Sequence, residues 1–147
     1  MLGIYGWLPA PSESLGWNMT IMQQTVDEVY KTWNFTYSYG WDFPLLSMNS
    51  ARMGDIDQAL AWLLDPDFGF DDAGYPIGGA RVSDLPLMPC LCRGSVLICA
   101  QVPTPYFPGS ASLLWAVALL AGGWDGREGS KFPPGWNVQV EGFSPAF

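Results

Sequence analysis

The carboxylate best placed for chemistry is Asp42, which lies between Trp41 and Phe43 at the expected start of a helix. The partial positive charge at the amino terminus of a helix favours the ionised form of a carboxylate. An ionised carboxylate can act as a general base. Asp42 is therefore the first candidate for a catalytic base, and the simpler alternative is that its side chain only caps the helix.

Other charged residues in the loops are weaker candidates. Glu141 follows an aromatic segment and is a second, weak candidate for a catalytic carboxylate. Asp72, in an acidic and Gly-rich loop, and Arg81, one of only six basic residues, are candidates for substrate binding. Charged side chains are seldom fully buried, so for each of these the simpler interpretation is a solvated surface charge.

Four aromatic residues fall in the expected loops, and we predict that they bind substrate. They are Tyr39, Trp41, Tyr106 and Trp136. A flat ring with a polar edge stacks well on the apolar face of a sugar, but the same ring also fills a hydrophobic core. The sequence leaves both alternatives open for these four. By contrast, Trp62 and Trp115 lie within expected helices and are predicted to be core residues.

The composition excludes several classes of function. The chain has no His, so a His-dependent catalytic triad or a His-ligated metal centre cannot be formed from it. Its net charge of −8 with only six Lys and Arg argues against nucleic acid and against anionic membrane surfaces as partners. The three Cys residues lack a fourth ligand for a zinc site. We therefore expect no metal and no cofactor.

The chain shows no membrane or export signal. The longest apolar stretch, Ala111 to Ala121, is about half of the ~20 residues that a helix needs to span a bilayer. The opening segment, Met1 to Pro11, has no basic region of the kind that begins a signal peptide. The localisation is therefore left undetermined by the sequence.

Four helices are predicted to position the candidate residues. They run from Asn18 or Thr20 to about Thr32, from Phe43 to Met53, from Asp55 to Leu64 and from Ser110 to Ala121. In the first of them, an apolar stripe is expected at Ile21, Thr25, Val29 and Trp33. The second and third form a hairpin in which the nearly uncharged second helix is inner and the amphipathic third is outer. The fourth is apolar all round, which predicts a fully buried helix. The tail is predicted to be loop with a short strand at Trp136 to Val140.

A segment from Val82 to Gln101 differs from its surroundings. It contains all three Cys residues and no aromatic residue, although both flanks are rich in aromatics. Val82-Ser83 can be encoded by the donor-like sequence GTGAGT, and Gln101 can be encoded by the acceptor-like CAG. We therefore interpret residues 82–101 as a retained intron within one unit, residues 1–147. The alternative is an ordinary surface insertion.

Outside that segment, a series of short motifs carries a resemblance to a known superfamily. The motifs are Tyr39-Gly40-Trp41-Asp42-Phe43-Pro44, Ala51-Arg52-Met53-Gly54-Asp55, Ala61-Trp62-Leu63-Leu64, Phe70-Asp71-Asp72-Ala73-Gly74-Tyr75-Pro76, Gly78-Gly79, Val102-Pro103-Thr104-Pro105-Tyr106-Phe107-Pro108, Ala121-Gly122-Gly123-Trp124-Asp125-Gly126, Gly135-Trp136-Asn137-Val138 and Glu141-Gly142. Together they resemble the carboxy-terminal part of the six-hairpin glycosidase superfamily, the (α/α)6-barrel enzymes, in a group related to glycoside hydrolase families 65 and 95.

The resemblance implies an all-α fold, a partial (α/α)6 barrel with long aromatic and Pro/Gly-rich loops, and hydrolysis of glycosidic bonds in a carbohydrate substrate. A barrel of six hairpins needs more helices than these four, and the segment that bears the usual general acid is not apparent. We therefore expect a fragment that is inactive alone, whose partner is the missing part of the barrel and whose parent enzyme is secreted. The alternatives are a non-catalytic carbohydrate-binding module and a non-functional product of a mis-spliced gene.

Overall fold

The computed structural model describes residues 2–9, 16–35, 38–76, 89–92, 95–98, 106–125 and 127–142. Helices dominate this part of the chain, and they supply its buried core. The predicted all-α class is therefore confirmed, whereas the barrel stays a prediction. The helices are α1 (Leu2–Gly6), α2 (Met19–Thr32), α3 (Asp42–Arg52), α4 (Ile56–Leu63) and α5 (Phe107–Gly122).

Two short antiparallel strand pairs accompany the helices. Strand β1 (Pro89–Cys92) pairs with β2 (Ser95–Ile98), and β3 (Gly123–Trp124) pairs with β4 (Arg127–Glu128). The first pair falls inside the segment that we interpret as a retained intron, whose other residues lie outside the described ones. A strand pair is compatible with either interpretation of that segment, which remains a prediction. The strand predicted at Trp136 to Val140 is wrong, because those residues have no strand partner.

Helix α2 begins where the sequence predicts but buries a different face. The Asn18 side chain caps it, accepting hydrogen bonds from the backbone N–H groups of Thr20 and Ile21. Its buried residues are Met22, Val26 and Val29. The predicted stripe is therefore wrong except for Val29, since Ile21 and Trp33 are about half exposed.

The hairpin of α3 and α4 is confirmed. Gly54 follows α3 with a φ of +92°, a conformation that favours glycine, and it ends the helix as predicted. The Asp55 side chain then caps α4 by accepting from the Gln58 backbone N–H. Nearly every residue of α3 is buried, whereas α4 fully buries only Ala59 and Trp62. Helix α3 is thus the inner helix and α4 the outer one.

Two apolar clusters form the core, and α3 contributes to both. The first comprises Leu2, Met22, Val26, Val29, Phe43, Leu46, Trp62 and Phe68. The second comprises Met48, Ala51, Ala59, Ala116, Leu119, Leu120 and Trp124. Residues of α2, α3 and α4 thus share the first cluster, and residues of α3, α4 and α5 share the second, so α3 lies at the centre of the packing. The prediction that Trp62 is a core residue is confirmed.

Helix α1 is not among the four helices predicted from the sequence. Its last residue, Gly6, lies so close to α3 that an added Cβ would sit 2.6 Å from Leu45 Cδ1 and 3.1 Å from the Leu45 carbonyl oxygen. A larger residue would therefore push α1 away from α3. Five residues are too few for a helix to be stable without such packing.

Helices α3 and α5 run side by side in the same direction. At their amino-terminal ends, Ser112 Oγ donates to the Trp41 carbonyl oxygen over 3.2 Å. At their carboxy-terminal ends, Arg52 forms an ion pair with Asp125, with Nη2 and Oδ1 2.7 Å apart. Helix α4 follows α3 after a tight turn and runs in the opposite direction, so the chain returns towards the end where α3 begins. Helices α3 and α5 therefore both begin at one end of the molecule.

The prediction that the fourth predicted helix is fully buried is wrong. One side of α5 packs on the core through Ser112, Ala116, Leu119 and Leu120. The opposite side leaves four large apolar side chains exposed to solvent. They are Phe107 at 66%, Leu114 at 71%, Trp115 at 41% and Val117 at 41%. The prediction that Trp115 is a core residue is wrong for the same reason.

Candidate functional site

The site is built on a turn that precedes α3. Asp42 Oδ2 accepts a hydrogen bond from the backbone N–H of Tyr39 over 2.9 Å, and the Asp42 N–H donates to the Tyr39 carbonyl oxygen, also over 2.9 Å. This reciprocal pair fixes the aromatic loop against the first turn of the helix. The Asp42 carboxylate does not cap α3, because the N-cap residue is Trp41 and no side chain makes a capping hydrogen bond there. It instead holds the loop that precedes the helix.

Burial and a hydrogen bond act in opposite directions on the pKa of the Asp42 carboxyl group. Burial raises the pKa of the Asp42 carboxyl group above its ordinary value of 3.8, and the hydrogen bond from Tyr39 only partly offsets this by lowering it. A raised pKa makes the carboxylate more basic where it is ionised and a readier proton donor where it is protonated, so the assignment of Asp42 as a general base stays a prediction.

Tyr106 joins Asp42 and Tyr39 from the loop that precedes α5. Burial raises the pKa of the Tyr106 hydroxyl group, and the charges of Asp42 and Tyr39 raise it further. The Tyr106 ring also lies beside the backbone of the Tyr39–Asp42 turn, because Tyr106 Cδ1 and the Gly40 carbonyl carbon are both within 3.6 Å of the Cβ position of Gly109. The structure therefore brings together three of the residues that the sequence proposed, although Tyr106 is far from the other two in the chain.

The close approach of the two loops depends on Gly109. An added Cβ at this position would lie 3.0 Å from Pro76 Cβ, 3.2 Å from Tyr106 Cδ1 and 3.6 Å from the Gly40 carbonyl carbon. The first of these distances is too short for an ordinary contact, so a side chain here would force the loops apart. Glycine at this position thus allows the start of α5 to contact the Gly40 backbone.

Trp41 lies in the same loop but is only partly available to a ligand. Its ring packs against Trp7, with the ring centroids 5.1 Å apart and the planes tilted by 32°. Its carbonyl oxygen accepts from Ser112. The half-buried ring therefore contributes to packing, which is one of the two roles that the sequence left open, and its role in binding a substrate stays a prediction.

A third loop adds two aromatic rings that the sequence analysis did not propose. The backbone N–H of Tyr106 donates to the Pro76 carbonyl oxygen over 3.3 Å, which joins this loop to the site. Tyr75 and Phe107 make an edge contact with ring centroids 6.4 Å apart, and both are exposed. Asp72 is exposed at the tip of the same loop, as expected for a solvated charge. In the sequence, the feature that could have predicted this contact is the pair of aromatic motifs Tyr75-Pro76 and Tyr106-Phe107.

Two of the proposed residues lie away from Asp42. Trp136 stacks on Phe132 with centroids 5.0 Å apart, and the neighbouring Lys131 N–H donates to the carbonyl oxygen of Leu120. Leu120 is fourteen residues beyond Tyr106, a rise of about 20 Å along α5. Trp136 is therefore anchored near the opposite end of α5 from the site.

Glu141 is exposed, and its carboxylate accepts from the side chain of Gln139 over 3.3 Å. No described contact joins it to Asp42. Arg81 lies outside the described residues. Asp42 is thus the only one of the two proposed catalytic carboxylates that the structure places beside Tyr39 and Tyr106.

Among the described residues, no group of three or more Cys, Asp or Glu is arranged to hold a metal ion. In that part of the chain no helix is long and apolar enough to cross a membrane. Comparison with protein-family models, with curated proteins and with solved structures finds no match to this chain. The site must therefore be interpreted from its own geometry and chemistry.

Replacing Asp42 with asparagine should stabilise the protein more at neutral pH than in acid. Because the folded-state pKa of Asp42 is raised, this carboxyl group stabilises the fold while protonated, below its ordinary value of 3.8. That contribution is lost as the pH rises through the raised folded-state pKa. The unfolding free energy of Asp42→Asn minus that of the unmodified protein should therefore increase between about pH 3 and about pH 7.

Urea unfolding followed by circular dichroism at a series of pH values measures this difference. Asp57→Asn is the matched control, because Asp57 is an exposed carboxylate in the first turn of α4. It removes the same charge without relieving burial, so it should not reproduce the increase. A difference for Asp42→Asn that stays flat or falls with pH would contradict burial of this carboxyl group as the dominant effect.

Proposed function

We propose that this chain is the carbohydrate-binding part of an (α/α)6-barrel glycoside hydrolase and is catalytically inactive by itself. The observation that carries the proposal is the meeting of Tyr39, Asp42 and Tyr106 at the common amino-terminal end of α3 and α5. Two tyrosine rings beside one carboxyl group offer stacking surfaces and hydrogen bonds to a hydroxylated, uncharged ligand. A sugar has this combination of apolar faces and hydroxyl groups.

The helix arrangement supports a barrel of hairpins. In such a barrel each inner helix is followed by an outer helix that returns the chain, so all inner helices run in the same direction. Helices α3 and α5 are parallel neighbours, and α4 returns on the outside of α3. The aromatic loops before α3 and α5 consequently meet at one end, where a ligand can contact both.

The carboxylates argue against independent catalysis. Glycoside hydrolysis ordinarily uses two carboxyl groups, one as proton donor and one as base or nucleophile, held about 5–10 Å apart. Of the two proposed catalytic carboxylates, both within the described residues, only Asp42 lies at the site, where it supplies one of the two groups. We infer that the second carboxyl group belongs to the part of the barrel that this chain lacks.

A non-catalytic carbohydrate-binding module is the second candidate. The same observation, one carboxyl group among aromatic rings, favours it, since binding needs no second carboxylate. The two candidates differ in the role of Asp42. A catalytic carboxyl group lies against the sugar, so Asp42→Asn should change sugar affinity in the first case and leave it unchanged in the second.

Removal of either tyrosine ring should weaken sugar binding about five- to thirtyfold, since stacking on an aromatic ring in a partly desolvated site contributes roughly 1–2 kcal/mol. Isothermal titration of the purified chain with a panel of neutral oligosaccharides provides the affinities, for the unmodified protein and for Tyr39→Ala and Tyr106→Ala. An assay with aryl glycosides run in parallel should detect no turnover.

Trp136→Ala is the control for this experiment, because it also removes an exposed ring but lies near the other end of α5. Its affinity should match that of the unmodified protein. Binding that is lost in Trp136→Ala and kept in both tyrosine variants would place the sugar elsewhere. Turnover of any glycoside by this chain would contradict the proposed inactivity.

A further inference from the structure

The exposed face of α5 is as apolar as its buried face. The helix, Phe107–Gly122, contains no charged residue. With 3.6 residues per turn, Phe107 and Leu114 lie on the side opposite Ala116, which is fully buried, and Trp115 and Val117 border that side at about 100° on either side of Ala116. Small residues, Ala111 and Ala118, lie along the middle of this exposed side. The face therefore has the ridges and hollows that allow another helix to pack closely.

The side chains along this face would fit those of a second, antiparallel copy of α5. If two α5 helices lie antiparallel about a point midway between Leu114 and Trp115, these two residues face each other across the axis. In the same register Ala111 faces Ala118, and Phe107 faces Gly122, so that a large ring meets a glycine. A parallel arrangement would instead place Phe107 against Phe107.

We propose that this face binds a second copy of the chain, with the two α5 helices packed antiparallel about a two-fold axis between Leu114 and Trp115. The proposal is independent of sugar binding. An interface that is the same patch on both copies is the usual form of a symmetric dimer. Two copies that each carry a net charge of −8 repel each other over most of their surface. The α5 face contains no charged residue, so two copies can meet there without repulsion between like charges.

The size of the face is sufficient for a specific dimer. Aromatic side chains present about 150–250 Å² each. The exposed parts of the four large side chains and their alanine neighbours therefore amount to roughly 500 Å² per copy, or roughly 1,000 Å² for two copies. That is the area at which specific interfaces begin.

Sedimentation equilibrium over a range of concentrations should show a monomer–dimer equilibrium for the full chain. Leu114→Glu should raise the dissociation constant at least about a hundredfold, because it buries a charge at the centre of the interface. Since Leu114 is exposed in the single chain, circular dichroism should show this variant folded. Ile21→Glu is the matched control: Ile21 is comparably exposed, on α2, and its replacement should leave the dissociation constant unchanged.

Disulfide trapping tests the antiparallel register independently. Ala111→Cys and Ala118→Cys chains, each with Cys90, Cys92 and Cys99 replaced by serine, should form a cross-linked dimer when mixed. Neither should cross-link efficiently alone, because two copies of position 111 lie about 10 Å apart along the axis, beyond the reach of a disulfide.

Four results would overturn the proposal. The first is a monomer at all concentrations. The second is association of undefined stoichiometry, and the third is a dimer that Leu114→Glu leaves intact. Cross-linking of Ala111→Cys alone would also overturn it, because that pattern requires parallel helices.

Discussion

Replacing Arg52 with alanine should lower the free energy of unfolding by about 3 kcal/mol. The guanidinium group is 1% exposed and forms the 2.7 Å ion pair with Asp125. It also donates to the backbone carbonyl oxygens of Tyr5 and Leu8, and it lies 5.6 Å from the centroid of the Tyr5 ring. One side chain thus joins α1, α3 and the turn after α5. Loss of one partner of a buried pair costs about 3–5 kcal/mol, and the lower end applies because Asp125 is 23% exposed.

Urea unfolding of Arg52→Ala beside two controls measures this effect. Lys31→Ala removes an exposed positive charge from the last turn of α2 and should change the unfolding free energy by less than about 0.5 kcal/mol. Arg52→Lys keeps the positive charge but loses the planar guanidinium group, so its free energy of unfolding should lie between those of Arg52→Ala and the unmodified protein. A loss below about 1 kcal/mol for Arg52→Ala would mean that this buried group does not hold the three elements together.

Replacing Phe43 with alanine should lower the free energy of unfolding by about 3–5 kcal/mol. Phe43 is 1% exposed, and its ring stacks on Phe68 with centroids 5.6 Å apart and lies 6.4 Å from Trp62. Truncation leaves a cavity lined by rigid rings, which cannot collapse to fill it. Phe43 also follows Asp42 directly, so the same cavity loosens the first turn of α3 and the aromatic loop before it.

Thermal and urea unfolding give the size of this loss. Phe43→Leu keeps most of the volume and should cost less than about 1.5 kcal/mol. Leu64→Ala truncates a side chain that is 75% exposed, so it should change stability by less than about 0.5 kcal/mol. If Phe43→Ala were no more destabilising than Leu64→Ala, the ring cluster around Phe43 would not be a rigid part of the core.

The helices that the sequence predicts correctly begin and end at local signals. Asn18, Asp55 and Gly54 act on backbone groups within a few residues, so their effect can be read from neighbouring positions alone. The buried face of α2 is different. Ile21 and Met22 are adjacent, and only packing against α3 and α4 determines that Met22 is buried and Ile21 exposed.

The candidate site was partly predictable for the same reason. Asp42 and Tyr39 are three residues apart, so their contact is a local feature of a helix start. The presence of Tyr106 depends on the parallel alignment of α3 and α5, which no short segment of the sequence encodes. The exposure of α5 was not predictable, because an apolar helix in a sequence carries no sign of what covers it.

The parallel alignment of α3 and α5 has a consequence for the segment between them. Trp41 and Ser112, like Arg52 and Asp125, meet only after the long connection from α4 to α5 has closed on itself. The entropic cost of closing a flexible connection grows only logarithmically with its length, by about 0.6 kcal/mol for each doubling. Excision of Val82–Gln101 would remove less than half of that connection. The contacts between α3 and α5 would therefore form with nearly the same free energy in the spliced and unspliced chains.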